Sequence, residues 1–167
     1  MSEDLDRAAI AVTPEEASAP PALRACVFVL GGSLFAVEVT SAREVAVFDS
    51  ITRVPGAPAF LLGLANLRGA VMPIVDIRAL LELPPHRAGT VIKALVLEHG
   101  PLRAAIAIEA ALGLEPFGEV NAPDGPGLVL GTLRRGDEMV ALLDASRILT
   151  ALALEMRGAN QTEEDRA

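Results

Sequence analysis

The stretch from Gly63 to Leu81, GLANLRGAVMPIVDIRALL, returns in loosened form from Gly131 to Leu149 as GTLRRGDEMVALLDASRIL. Arg68-Gly69 lines up with Arg135-Gly136, and Asp76 with Asp144, about 67 residues on. Upstream, GGSLFAVEV is matched by HGPLRAAIAIE. A period of that length suits two similar β-units in tandem, each finishing in a helix. Neither unit alone can bury much surface, so the two must share a core. With 167 residues, 51% of them hydrophobic, the chain has the material for such a core. Its only aromatic residues are five Phe, so Val, Leu, Ile and Ala must fill it.

Short apolar runs broken by Gly, Pro and Asp predict strands. ACVFVLGG and LFAVEV form a hairpin around Gly31, Gly32 and Ser33. VIKALVLEHG and LRAAIAIE form a second around Gly100 and Pro101, and GLVLGTL with EMVALLD a third. TSAREV reads as a turn or single helical turn before VAVFD resumes the strand pattern. Two helices are expected. Asp76 caps the first, which carries Ile77, Leu80 and Leu81 on one face and ends at Pro84-Pro85. Asp144 caps the second, with Ile148, Leu149, Leu152 and Met156 as its stripe and Gly158 as its stop.

Arg68 sits inside an otherwise almost wholly apolar run, where an unpaired buried guanidinium would carry a large desolvation cost. The run therefore divides into two strands, FLLGLANL and AVMPIVD, with LRG as the bend and the arginine thrown into solvent at its tip. Pro73 cannot donate to a ladder and marks an edge or a bulge of the second strand. Residues 1–22, acidic and Pro/Ala-rich, read as a disordered leader, and residues 158–167 as a frayed tail.

The formal net charge of −8, with no Lys/Arg cluster, argues against nucleic acid and anionic lipid as partners. No signal peptide and no apolar stretch long enough to span a membrane is seen, so a cytosolic location is expected. Cys26, flanked by apolar residues, reads as a small buried hydrophobe. His86 and His99 have no Cys or carboxylate partner at metal-ligand spacing, and neither a phosphate loop nor a nucleophile elbow is present. These patterns predict no enzyme, no metal and no cofactor.

The run from Gly31 to Leu83 resembles the CheW family, the coupling proteins of bacterial chemosensory arrays. The resemblance rests on GGSLFAVEVTSAREV followed by ITRVPGAPAFLLGLANLRGAVMPIVDIRALLEL, which matches the family core I-T-x-V-P, then G-x-x-N-L-R-G, then P-V-x-D-L. Val91 to Leu149 matches more weakly. The resemblance implies a mainly β fold of two SH3-like five-stranded barrels on a shared hydrophobic core, with short helices after each unit. The domain would span 23–157, with a first barrel at about 35–85, a second at about 91–144 joined by strand exchange, and a C-terminal helix at 145–157. It also implies a non-enzymatic adaptor that links the cytoplasmic tips of methyl-accepting chemoreceptors to the regulatory domain of a CheA-type histidine kinase. The receptor-contact arginine of the N-L-R-G motif falls on Arg68. The implied partner-binding set is Ala42, Glu44, Gly63, Asn66, Arg68 and Gly69.

Departures from the family pattern are Ala42 where valine is usual and Glu109 where an aspartate is common. Two other readings stand beside the adaptor. One is a regulator or localisation factor of the same fold that does not activate the kinase. The other is a small-ligand-binding barrel, disfavoured by the scarcity of aromatic side chains.

Overall fold

The computed structural model describes residues 23–84, 91–122 and 127–166. The expected leader (1–22), Pro85 and His86 lie outside the described residues. Among the described residues, ten strands form two five-stranded sheets. In chain order they are β1 (Leu23–Leu30), β2 (Ser33–Glu38), β3 (Ala42–Phe48), β4 (Leu61–Leu67), β5 (Ala70–Val75), β6 (Ile92–His99), β7 (Leu102–Ala107), β8 (Ala110–Phe117), β9 (Val129–Arg135) and β10 (Glu138–Leu143). One sheet runs β8-β1-β2-β10-β9 and the other β3-β6-β7-β5-β4.

The barrels are therefore not the contiguous stretches expected from the sequence. The chain starts the first barrel with hairpin β1–β2, crosses at 39–41 to build the whole second barrel from β3 to β7, and crosses back at 108–109 to finish the first with β8 to β10. Residues 35–38 thus belong with 110–143, and hairpin β6–β7 belongs with β3–β5. Each sequence repeat gives its hairpin to one barrel and its last three strands to the other. The exchange is held by two parallel pairings, β2 with β10 and β5 with β7.

This topology explains the continuous apolar runs of the hairpin strands. Successive side chains point to opposite faces, and both faces of β1 and β6 are covered. Ala25 and Val27 fill one barrel beside Leu133, Val140 and Leu142, while Ala94 and Val96 fill the other beside Met72 and Ile74. The alternate residues Cys26, Phe28, Leu30, Leu95 and Leu97 meet in the core between the barrels, with Ile77, Ile106 and Ile148. The Phe28 and Phe35 rings stack there at 6.1 Å. Burial pushes the Cys26 thiol pKa up, which keeps it neutral.

Each barrel is closed by one bridge. Thr52 and Leu64 exchange two backbone hydrogen bonds of 2.8 Å, and Asn121 and Thr132 do the same at 3.0 and 2.8 Å. A glycine precedes the inner partner both times, Gly63 and Gly131. A Cβ on Gly63 would overlap Ile51 Cγ2 and lie 2.6 Å from the Thr52 carbonyl oxygen; one on Gly131 would lie 2.5 Å from the Asn121 carbonyl oxygen. Only glycine admits the closing strand.

These paired closures correct the alignment of the repeats. With Gly63 on Gly131 and Asp76 on Asp144, Arg68 falls on Gly136, and Arg135 falls on Leu67. Arg135 is the last residue of β9, not a turn residue. Repeated leucine, arginine and glycine letters hid the one-residue slip.

Pro73 lies on β5, which is interior, between β7 and β4. The parallel ladder with β7 pairs only Ile74 and Val75, so the proline stands just before that ladder. Ala42 already belongs to β3, so the expected turn shortens to Thr40-Ser41. Strand β8 has no clear signature in the sequence, because Gly113 and Pro116 interrupt it; it is an edge strand, where a proline is tolerated.

The helix expected after Asp76 reduces to a single 3-10 turn, Ala79–Leu81. Asp76 Oδ1 still accepts the Arg78 amide at 3.0 Å, but Glu82 at φ 57 ends the turn at once. The C-terminal helix α1 spans Ala145–Arg166, passing through Gly158 into the stretch expected to fray. A lone interior glycine costs about 1 kcal/mol against alanine, which weakens a helix without ending it. Asp144 Oδ1 accepts the Arg147 amide at 3.1 Å and the Ser146 hydroxyl at 2.7 Å. Ile148, Leu149 and Leu152 are buried on the shared core.

Candidate partner-binding site

Hairpin β4–β5 turns through two residues, Arg68 at φ 51 and Gly69 at φ 87. Left-handed angles at both positions give the tight turn whose twist matches paired strands. Glycine adopts them freely. For arginine the conformation costs on the order of 1 kcal/mol. Asn66 steadies the turn, its Oδ1 accepting the Gly69 amide at 2.8 Å.

The turn stands beside β3. Arg68 Nη1 donates to Glu44 Oε1 at 2.9 Å, and Nη2 donates to Oε2 at 2.6 Å. The arginine side chain is 76% exposed and the glutamate 24%. Arg68 therefore stands in solvent at the hairpin tip, as expected, and is in addition paired with Glu44. Such an exposed pair contributes under about 1 kcal/mol to stability. Its effect is to hold the guanidinium plane, through a forked geometry that lysine cannot supply.

Val45 and Val47 on β3 and Val71 on β5 are exposed apolar side chains, Val71 at 69%. Val47, Val71 and Asn66 help line a cleft of ≈ 530 Å³ along the β3–β4 seam. Of the residues singled out in the sequence, Glu44, Asn66, Arg68 and Gly69 thus come together. Gly63 is buried at the barrel closure, and Ala42 is half buried against the shared core, so neither is presented to a partner in the same way.

The sequence reading missed Arg78. Its side chain is 4% exposed. It donates to Glu109 Oε1 at 3.2 Å, with Asp76 Oδ2 at 3.5 Å from its other terminal nitrogen. Glu109 Oε1 also accepts the Gly31 amide at 2.6 Å. Desolvation raises the Glu109 pKa, but the Arg78 guanidinium and the amides of Gly31 and Gly32 outweigh it and hold the carboxyl below its ordinary value. The desolvation argument raised for Arg68 applies here, ten residues later. The signal was the ion-pairing partner at Glu109, which only the fold brings near.

Arg135 is also paired, through Nε to both oxygens of Glu115 at 2.9 and 3.0 Å and through Nη1 to Glu138 at 2.9 Å. Among the described residues, no group of three or more His, Cys, Asp or Glu is placed to hold a metal ion. No described helix is long and apolar enough to cross a membrane.

Comparison with known proteins bears on the family and the fold. The model of the CheW-like domain matches residues 24–153. Chemotaxis protein CheW of Bacillus subtilis is 28% identical over 131 residues, covering 74% of this chain and 84% of that protein. Protein PilI of Pseudomonas aeruginosa is 32% identical over 92 residues, covering 54% of this chain and 51% of that protein. The crystal structure of the scaffolding protein TtCheW from Thermoanaerobacter tengcongensis superposes with a TM-score of 0.66 at 22% identity, covering 74% of this chain and 89% of that one. That likeness establishes the fold, a pair of SH3-like barrels. The chain belongs to the CheW-like domain family, whose members are scaffold and adaptor proteins rather than enzymes.

Proposed function

We propose that the chain couples the cytoplasmic tips of chemoreceptors to the regulatory domain of a CheA-type histidine kinase, in the cytoplasm at membrane-associated arrays. The observation that carries this reading is the Arg68–Glu44 pair. A costly backbone conformation and two hydrogen bonds hold an exposed guanidinium in one place. Fixing the side chain before binding lowers the entropy lost on association. Glu44 occupies one N–H at each terminal nitrogen, so the remaining N–H groups are left for a carboxylate or backbone carbonyl on a partner helix.

The test is capture of a receptor-tip fragment and of the kinase regulatory domain, assayed separately. Each is expected to bind alone, and Arg68→Glu should lose the receptor tip while retaining the kinase domain. Binding of neither would overturn the reading. Capture of both without any rise in kinase activity would instead favour a regulator of the same fold, a reading that the likeness to PilI keeps in view.

A further inference from the structure

The chain crosses between the barrels twice, at 39–41 and at 108–109. Each crossing has a backbone bond to the facing hairpin end, Glu98 N–H to Ser41 O and Glu109 N–H to Val29 O, both at 2.9 Å, and the two share one further backbone contact. Val39 donates its amide to Arg24 O, and Ile108 donates to Lys93 O, each at 2.9 Å. Arg24 and Lys93 are both second residues of their hairpins. Next along the chain stand Thr40 and Glu109. Two residues beyond the aspartates that follow β10 and β5 stand Ser146 and Arg78.

In side chains the crossings differ. At 108–109 the buried Arg78 binds Glu109, Glu109 binds the Gly31 amide, and Leu83 lies 3.1 Å from where a Gly31 Cβ would be. Turn, connector and crossing are thus tied at one point. At 39–41 the equivalent positions hold Thr40 and Ser146. In place of the ion pair there is a cavity of ≈ 190 Å³, lined by Thr40, Ser41, His99 and Ser146 among others. Nearby, Arg43 pairs with Glu98 at 3.2 Å on the surface, where such a pair holds little. Val39 is half buried, whereas Ile108 is 7% exposed.

We infer that the barrels are joined asymmetrically: the 108–109 crossing, locked by Arg78, is the fixed pivot, and the 39–41 crossing is the one that opens. The shared core limits the opening to a local one. It matters because 39–41 leads directly into Ala42, Arg43 and Glu44, so opening there displaces the carboxylate that holds Arg68.

Amide hydrogen exchange by NMR on the full chain tests this, because Val39 and Ile108 form an internally matched pair. Val39 should exchange at least about tenfold faster than Ile108. Arg78→Met should accelerate Ile108 at least about tenfold and leave Val39 within about twofold. Grafting the lock onto the other crossing, with Thr40→Glu and Ser146→Arg together, should slow Val39 at least about fivefold and leave Ile108 unchanged. Should Arg78→Met not fold, Glu109→Gln takes its place under the same criterion. Equal exchange of the two amides in the unmodified chain would overturn the inference. So would equal acceleration of both by Arg78→Met, which would make the arginine a general stabiliser, or a folded graft that leaves Val39 unchanged.

Discussion

Gly63→Ala separates a structural from a binding role for a residue of the family motif. The new Cβ would overlap Ile51 Cγ2 and stand 2.6 Å from the Thr52 carbonyl oxygen. The Thr52 backbone must then retreat, since a carbonyl cannot rotate away as a side chain can. Two hydrogen bonds of 2.8 Å, between Thr52 and Leu64, would stretch or break. At about 1 kcal/mol net each they account for roughly 2 kcal/mol, and forcing a methyl into a packed site adds about 1–3 kcal/mol. Urea unfolding should therefore show a loss of roughly 3–5 kcal/mol. Gly69→Ala is the control: its φ is 87, but a Cβ there meets nothing within 4 Å, so it tests backbone strain without the clash. It should cost only about 1–2 kcal/mol. A Gly63→Ala protein as stable as Gly69→Ala, yet unable to bind partners, would refute the closure argument.

Three further outcomes follow from the ion pairs and caps. Arg78→Met leaves the Glu109 carboxylate without its partner; because that carboxylate is 36% exposed, water offsets part of the loss and about 2 kcal/mol is expected in denaturant titration. Glu109 has a folded pKa below its unfolded value near 4.5, so its contribution is complete above that pH and is lost as pH falls through the folded value; the Arg78→Met protein should lose less stability than wild type over that acid window. Asp144→Ala removes the acceptor for the Arg147 amide and should lower stability by about 0.5–2 kcal/mol, with a matching drop in helical circular dichroism on heating.

Local features were the legible part of this fold. Hairpin turns announce themselves through Gly31-Gly32 and Arg68-Gly69, and the stripe of α1 through Ile148, Leu149 and Leu152, because each depends on residues close in sequence. The strand exchange was not legible. Hairpin β6–β7 is equally apolar whichever barrel receives it, and the choice is made by distant parallel pairings such as Val75 with Ile106. The candidate site divides the same way. Motif residues pointed to Arg68, whereas its partner role with Glu44 depends on two strands meeting that lie far apart in the chain. Arg78 was missed for that reason too: nothing near it in sequence reveals Glu109.

The central claim is that Arg68, fixed by Glu44, reads the receptor. Titration calorimetry of a receptor-tip fragment against the unmodified protein, Arg68→Glu, and the exchanged pair Glu44→Arg with Arg68→Glu tests it most directly. An arginine at the centre of a small interface contributes about 2 kcal/mol or more, which is over tenfold in affinity. Both variants should lose at least about tenfold while melting within a few degrees of wild type, because the exchanged pair restores the contact but moves the guanidinium. Arg135→Glu should leave receptor binding nearly unchanged. Full affinity in the exchanged pair, or equal losses from Arg68→Glu and Arg135→Glu, would contradict the claim.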